Sequence, residues 1–564
     1  KYIFLLQTFY ISYSLSAEAQ KSNPESSSEI RENILIRKSD KNMIVCADKR
    51  AAAAAKKIIK KGGNALDAAI AAQNVLSVVE PQSSGIGGGG FLIFFNNNTK
   101  KIYAWDGREF APSSANSKMF EEVDGKKKPF LKAISSEASI GVPGLYSMLA
   151  DAHREYGSFE WKGLFADAIS LSRGFEISKR LNFMLNWAPH LTEDNYAQEI
   201  YFNDGKAKNI GEEVINRKLT KTLIEISNNP YSVNNGKIAV LISSKIPKNI
   251  TIEDLSSWKT IKRKPICRYF FNYKICGFPP PTSGGIGVLQ IIGILDNLLD
   301  SNINKLKSSE HLFLEASRLA YSDRDIYIAD PDYFEVPVKE LLSKPYLKKR
   351  SKEIKLEEAT LEVKPGEIKK LNGVKLNKSK TFEKSSTTHI SIVDHYGNAV
   401  SLTSSIEFAF GSGKTVGGFF LNNQLTDFSY LNKNKHTTAN SIAAMKKPRS
   451  SMAPTVVFKN NSLQGVIGSP GGSRIICYVS RSLLDLISQN NLKKVLDAPH
   501  ICSRNQIVEI ETDRNTLYLE KKLSLLGQKL VKKKMTSGLN IIWKKNNVWY
   551  GGSDPRREGV AIGF

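Results

Sequence analysis

The segment at 383–394, Glu-Lys-Ser-Ser-Thr-Thr-His-Ile-Ser-Ile-Val-Asp, contains a threonine that could act as a nucleophile. A polar, lysine-rich stretch (368–386) ends just before Thr387, where the alternation typical of a β-strand begins. If the chain is cut before Thr387, its hydroxyl becomes the nucleophile and the freed α-amine becomes the general base. One cut would therefore create both groups without a histidine. For Thr-Thr by itself, the alternative is a loop that runs into an ordinary strand.

Acyl transfer also needs an oxyanion hole, and the pair Gly471-Gly472 is suited to form one. Glycine lets the backbone approach a reacting group closely, and two successive N–H groups can point at one atom. The helix predicted from Ser473 would direct its positive N-terminal end toward the same negative charge. A simple turn is the alternative.

Two glycine-rich segments imitate nucleotide-binding motifs, and neither predicts a nucleotide cofactor. Residues 85–90 have the spacing of a dinucleotide fingerprint, but they precede a strand instead of a helix. Residues 411–415 end like a phosphate loop, but Phe408 occupies the position of the required first glycine. The histidines lie far apart, and no cysteine spacing suggests a metal site. We therefore expect no cofactor and no metal.

The formal net charge of +25 does not by itself indicate a nucleic-acid partner. Lysine and arginine are scattered along the chain, and the short clusters at 126–128, 348–350 and 532–534 lack interleaved aromatic residues. We therefore expect no nucleic-acid binding. Weak attraction to anionic cell surfaces or acidic polymers fits the charge better.

The N-terminal residues predict export. Residues 2–15 are apolar and aromatic, and Ala17-x-Ala19 is a small-x-small cleavage pattern, so we expect a signal peptide at 1–19 and a polar linker at 20–42. No later segment is a continuous apolar run long enough to cross a bilayer, so no membrane span is expected in the mature, periplasmic or secreted protein. Of the five cysteines, Cys267 and Cys276 flank a hairpin-like segment and are either disulfide-bonded or unpaired and buried.

The pattern of apolar residues predicts an α/β chain. A helix at 47–60 ends at Gly62-Gly63, and Asn64 caps a second helix at 65–79. Residues 91–95 and 101–105 form a predicted hairpin. The remaining predictions are helical periodicity at 143–180, 213–226, 287–300 and 308–325, strands at 388–394, 398–405, 416–421, 454–458 and 464–468, and a helix at 473–488.

Ten segments, in order along most of the chain, resemble the γ-glutamyltranspeptidase family. They lie at 56–67, 80–91, 106–112, 141–144, 279–285, 387–389, 421–428, 450–454, 468–474 and 553–564. The resemblance implies the four-layer αββα sandwich of N-terminal nucleophile hydrolases. It also implies self-cleavage into a large subunit (43–386) and a small subunit (387–564) that form a heterodimer around one shared core.

The same resemblance implies site residues. Thr387 would be the nucleophile, Ser405 the hydroxyl residue that hydrogen-bonds it, and Gly471 with Gly472 the oxyanion hole. The family more often has a threonine where this chain has Ser405, but the hydroxyl is retained.

A γ-glutamyl donor, such as glutathione, carries an α-carboxylate and an α-ammonium, so its pocket needs both signs of charge. Arg108 offers a planar fork for the carboxylate, with hydroxyls from Ser450 and Ser451. Three further residues, Glu407, Gln424 and Asp427, would hold the ammonium. Water, an amino acid or a dipeptide would accept the γ-glutamyl group.

The substrate class has alternatives. Residues 429–449 correspond to the lid over the pocket, and a short or open lid would admit bulky or polymeric substrates. Glutaryl or cephalosporin acylases and poly-γ-glutamate processing enzymes have the same fold and nucleophile. A glutaryl group has no ammonium, so the charged residues favour a glutamyl donor. An uncleaved, non-enzymatic basic surface protein is a third alternative.

Overall fold

The computed structural model describes residues 33–122, 124–299, 302, 310–360, 362–371, 376–378, 386–429, 438–512 and 514–564. The predicted signal peptide and the first part of the predicted linker lie outside the described residues. Among the described residues, no helix is long and apolar enough to cross a membrane.

The first of two large antiparallel sheets, sheet I, contains the predicted nucleophile. Its strands are β2 (Met43–Cys46), β3 (Gly89–Asn96), β4 (Lys101–Gly107), β5 (Ile261–Arg263), β8 (Ser386–Val393), β9 (Ala399–Glu407) and β14 (Val560–Gly563). Their order across the sheet is β14-β2-β8-β9-β3-β4-β5, which places β8 and β9 at the centre.

The second sheet, sheet II, is also seven-stranded and antiparallel. Its strands are β1 (Arg37–Ser39), β6 (Ile266–Phe270), β7 (Tyr273–Gly277), β10 (Thr455–Lys459), β11 (Ser462–Gly468), β12 (Asn540–Lys545) and β13 (Val548–Ser553). Their order is β1-β13-β12-β11-β10-β7-β6. Both sheets combine strands from before and after Thr387, so the chain on either side of that residue contributes to one core.

Alternating side chains on sheet I explain the layers. On β2 and β3, Ile44 and Leu92 pack in one apolar core with helices α1 (Lys49–Lys60), α2 (Ala65–Val79) and α3 (Leu145–Tyr156). Their neighbours Val45 and Phe91 point the other way and pack in a second core, since successive strand residues face opposite sides.

That second core also contains sheet II and helices α4 (Gly284–Asp296), α5 (Glu310–Tyr327) and α6 (Ile475–Gln489). The result is the predicted αββα order of four layers. The other α-helices within the described residues are Phe130–Ser135, Ala166–Ser172, Lys179–Trp187, Asn195–Tyr201, Arg217–Asn228, Lys237–Lys245, Ile252–Ser257, Val338–Leu341, Lys344–Ser351, Leu492–Asp497 and Leu517–Leu525. A small three-stranded sheet consists of Ile501–Ser503, Ile507–Glu511 and Lys529–Lys533.

The sequence predicted the ends of helices and strands most accurately where a capping residue or a turn sets the boundary. Asn64 caps α2, as predicted, and the structure adds a capping box between Asn64 and Asp67. The predicted hairpin is present, and its strands β3 and β4 run up to two residues beyond the predicted ends. The strand predicted at 416–421 was wrong: two-residue strands flank Gly417-Gly418, whose positive φ angles turn the chain back on itself.

The helical periodicity at 143–180 corresponds to several helices in the structure. Helix α3 ends at Tyr156, and separate helices follow at Ala166–Ser172 and Lys179–Trp187. Of the two alternatives for Cys267 and Cys276, the structure shows the disulfide, which joins opposite residues of β6 and β7. A second disulfide joins Cys477 to Cys502, and Cys46 is a free, buried thiol.

Candidate active site

Thr387 lies at the start of β8, where the sheet is irregular. Ser386 pairs with Glu407 and Thr387 pairs with Ser405, so Ile406 has no opposite residue and the register shifts between Ser386 and Thr387. Such a bulge bends a strand and redirects side chains at that point. Thr387 is 4% exposed, and its side chain borders a cleft instead of packing in an apolar core.

The hydroxyl of Ser405 contacts both residues that the Ser386–Thr387 peptide bond joins. It donates to the carbonyl oxygen of Ser386 at 2.9 Å and accepts the backbone N–H of Glu407 at 2.9 Å. Its oxygen is 3.1 Å from Thr387 Oγ1. Because the single Ser405 proton is directed to Ser386, the Thr387 hydroxyl donates to Ser405. One serine therefore links the Thr387 hydroxyl to the carbonyl group that precedes Thr387.

One cleft brings together nine of the ten residues singled out from the sequence. It is lined by Arg108, Thr387, Ser405, Glu407, Gln424, Asp427, Ser450, Ser451, Met452, Gly472 and Ile475. Gly471 is absent from the lining and precedes Gly472 directly in the chain. Met452 and Ile475 were missed, although each follows a predicted site residue closely in sequence, and that adjacency was the available signal.

Arg108 and Asp427, expected to bind opposite ends of a donor, contact each other. Arg108 Nη2 donates to Asp427 Oδ2 at 2.8 Å and to the carbonyl of Arg449 at 3.1 Å, and Arg108 Nε donates to the carbonyl of Pro448 at 3.1 Å. Gln424 Nε2 donates to the same Asp427 oxygen at 2.6 Å. Arg108 and Asp427 are both buried, and their opposite charges lie side by side in the cleft. Such a pair offers one group for each charge of a zwitterion.

The remaining polar residues of the cleft are held by short contacts. Glu407 has φ of +79°, a left-handed conformation that costs about 1–3 kcal/mol, and accepts from Asn423 Nδ2 at 2.6 Å. Ser451 Oγ accepts from Arg324 Nη2 at 2.9 Å, and Ser450 Oγ accepts the N–H of Met452 at 3.1 Å. Arg324, in α5, was also missed, since nothing in its local sequence marks it.

The glycine pair adopts backbone angles that favour glycine. Gly471 has φ of +140° and Gly472 has φ of +57°. A Cβ at Gly471 would lie 2.5 Å from the ring of Tyr478, so no side chain fits there without a shift. A 3₁₀ turn at Gly472–Arg474 leads into α6.

The family model described as gamma-glutamyltranspeptidase matches residues 51–564. The chain belongs to the γ-glutamyltranspeptidase family. The glutathione hydrolase proenzyme of Bacillus subtilis (strain 168) is 32% identical over 579 residues, 99% of this chain and 97% of that relative. The family predicted from the ten segments is confirmed, and with it the predicted enzyme class.

Two solved structures extend the comparison with the γ-glutamyltranspeptidase family. Helicobacter pylori γ-glutamyltranspeptidase is 32% identical with a TM-score of 0.53, covering 56% of this chain and 93% of that chain. A cephalosporin acylase from Bacillus halodurans has a TM-score of 0.82 at 24% identity, covering 95% of this chain and 98% of that chain. The second likeness confirms the predicted fold and carries no information on the acyl group.

Burial shifts the pKa values of two titratable groups near Thr387. Burial lowers the pKa of His389 to about 3, and its ring contacts Thr403 and Ser391. Burial raises the pKa of Glu80 to about 7, although Arg180 and Arg557 oppose the shift. His389 is therefore neutral near pH 7, and both of its ring nitrogens already contact hydroxyl groups.

The part of the predicted lid that the structure describes is held by contacts to Asp427 and to Asp106. Asn440 donates to the carbonyl of Asp427 at 2.8 Å and accepts the N–H of Arg449 at 2.9 Å. Lys447 Nζ lies 3.0 Å from Asp106 Oδ1. Residues 430–437 lie outside the described residues, so a short or open lid stays a prediction.

Proposed function

We propose that this chain is a self-processing γ-glutamyl hydrolase and transpeptidase that uses Thr387 as its nucleophile. The observation that carries the proposal is the Ser405 hydroxyl, placed between Thr387 Oγ1 and the Ser386 carbonyl oxygen at 3.1 and 2.9 Å. This arrangement places the proposed nucleophile, the Thr387 hydroxyl, next to the Ser386 carbonyl that it would attack during maturation.

Maturation would use that contact directly. Thr387 Oγ1 attacks the Ser386 carbonyl carbon, the Ser386–Thr387 C–N bond breaks as its nitrogen takes up a proton, and an ester forms on Thr387. Water hydrolyses the ester, leaving a carboxyl group on Ser386 and a free α-amine on Thr387. The large (43–386) and small (387–564) subunits would stay together, because sheets I and II each contain strands from both.

Catalysis would then reuse the same hydroxyl. The α-amine of Thr387 takes the hydroxyl proton, Oγ1 attacks the γ-carbonyl of the donor, and the proton passes to the leaving amine. The N–H groups of Gly471 and Gly472 would stabilise the oxyanion. Water hydrolyses the resulting γ-glutamyl ester, or the amine of an amino acid or dipeptide attacks it.

The pocket would recognise the donor by its paired charges. Arg108, Ser450 and Ser451 would bind the α-carboxylate of glutathione or another γ-glutamyl compound. Asp427, with Glu407 and Gln424, would bind the α-ammonium. The adjacent pair formed by Arg108 and Asp427 favours this donor over a glutaryl acylase substrate, which has no ammonium. A poly-γ-glutamate substrate is the alternative that retains a glutamyl group.

Turnover of γ-glutamyl-p-nitroanilide, with and without a dipeptide acceptor, tests the proposal. We expect release of p-nitroaniline in both cases, and a γ-glutamyl dipeptide only with the acceptor. No turnover by the fully cleaved protein would contradict the proposed function.

Export to the periplasm or the medium is part of the proposal. The apolar segment at 2–15 supports it, as do the two disulfides, which persist in oxidising compartments. Cell fractionation tests it: cleaved enzyme confined to the cytoplasm would contradict export.

Arg108→Lys is expected to weaken donor binding at least about tenfold, because lysine keeps the charge and loses the fork. A hydrogen bond to a charged group contributes about 1.5–3 kcal/mol, which agrees with that size. The measurement is KM for γ-glutamyl-p-nitroanilide. A control is Arg350→Lys, which alters another buried arginine, 3.1 Å from Asp323 and outside the cleft. Unchanged KM in Arg108→Lys would remove Arg108 from the donor site.

A further inference from the structure

A disulfide between Cys477 and Cys502 anchors the helix that follows the glycine pair in the chain. Cys477 is in the first turn of α6, the helix that follows Gly472 after a single 3₁₀ turn. Cys502 is in the strand Ile501–Ser503 of the small three-stranded sheet. Both residues are at most 1% exposed. The bond therefore ties the beginning of α6 covalently to that sheet.

Other contacts link the same turn to the same sheet. Arg504 Nη1 donates to Ser473 Oγ at 2.6 Å. Arg474 binds Glu509 through two hydrogen bonds of 2.7 and 2.9 Å, and Arg504 binds Glu509 as well. The small sheet thus supports the residues that follow Gly472 through several hydrogen bonds and one covalent bond, the disulfide.

A displacement of Cys477 would reach the glycine pair through Tyr478. The Tyr478 ring lies against Gly471, where an added Cβ would be 2.5 Å from it. The same ring contacts His500, which lies just before the strand that contains Cys502, with ring centroids 4.4 Å apart. The ring therefore links the glycine pair to the residue that precedes the small sheet, and the disulfide joins the same two parts of the chain.

We propose that the Cys477–Cys502 disulfide positions the N–H groups of Gly471 and Gly472, so that the chemical step requires this pair to be oxidised. The inference rests on the proposed function of the glycine pair as an oxyanion hole. Donor binding should not require the disulfide, because Arg108 and Asp427 are held by Pro448, Arg449 and Gln424, which lie outside the small sheet.

Removal of each disulfide provides a matched comparison. Cys477→Ala with Cys502→Ala is expected to lower kcat for γ-glutamyl-p-nitroanilide at least about tenfold, since misplacing catalytic groups by about 1 Å can cost about 10²-fold. KM should stay within about twofold, because ground-state contacts are kept. The control is Cys267→Ala with Cys276→Ala, whose disulfide joins β6, the end strand of sheet II, to β7. That control should keep the wild-type kcat.

Two outcomes would overturn the inference. A lower unfolding temperature with unchanged kcat and KM would show that the disulfide only stabilises the fold. A higher KM with unchanged kcat would place its effect on donor binding. Turnover by the wild type and by the control double variant separates these outcomes from failure of the proposed function.

Reduction of the folded protein keeps the test decisive if the double variant does not fold. In the Cys267→Ala, Cys276→Ala protein, a phosphine such as TCEP donates two electrons and breaks the remaining S–S bond. Two thiols form with protons from water, and the phosphine becomes its oxide. We expect kcat to fall in step with the thiols that peptide mapping detects at Cys477 and Cys502. Full kcat in the completely reduced protein would contradict the proposal.

Discussion

Thr387→Ala is expected to remain a single uncleaved chain and to lose all γ-glutamyl turnover. Alanine removes the oxygen that attacks the Ser386 carbonyl, so neither the ester nor the free α-amine can form. The fold should persist, because the Thr387 side chain borders a cleft and forms no part of an apolar core. A denaturing gel after purification shows whether the chain is cut, and the donor assay shows whether it turns over.

Thr388→Ala is the matched control, since it removes a neighbouring hydroxyl that contacts Glu80 at 3.1 Å. This variant should still be cut before Thr387, with Thr387 as the new N-terminal residue. Cleavage of Thr387→Ala at the same bond would mean that an external protease performs the cut, and self-processing by Thr387 would be wrong.

A glutaryl donor is expected to react orders of magnitude more slowly than the γ-glutamyl donor that differs only by the α-amine. A glutaryl donor lacks the ammonium that would donate charged hydrogen bonds to Asp427, so it loses that interaction in a buried cleft. Sites built around a polar partner reject analogues that lack it by about 10⁴-fold or more. The measurement is kcat/KM for the two p-nitroanilides.

Asp427→Asn should reduce the difference in kcat/KM between the two donors, mainly by lowering kcat/KM for the γ-glutamyl donor. Because Asp427 also binds Arg108 at 2.8 Å, the size of the effect includes a change in that pair. Complete self-cleavage of the variant serves as its folding control. Equal kcat/KM values for both donors in the wild type would contradict the glutamyl assignment and favour the acylase alternative.

Much of the candidate site could be proposed from the sequence because its residues lie in short segments with strong local constraints. Gly471 and Gly472 require angles that favour glycine, and Thr387 begins a strand after a polar stretch. Asn64 and Asp67 fixed the start of α2 in the same way. Each of these signals acts over a few residues, so the sequence displays it directly.

The structure added what depends on distant parts of the chain. The contact between Arg108 and Asp427 joins residues more than three hundred positions apart, and only the fold brings them together. Arg324 reaches Ser451 from a helix whose own sequence carries no signal for a site. The pairing of Cys477 with Cys502 likewise follows from packing α6 beside the small sheet. Spacing along a sequence does not specify such contacts.

The most direct test of the account is the covalent state of the small subunit (387–564) during turnover. The enzyme is mixed with a γ-glutamyl donor without acceptor, quenched in acid in the steady state, and its two chains are analysed by intact mass and peptide mapping. We expect one γ-glutamyl group on the peptide that begins at Thr387. A γ-glutamyl group on any other residue, or an intermediate on the large subunit (43–386), would contradict Thr387 as the nucleophile.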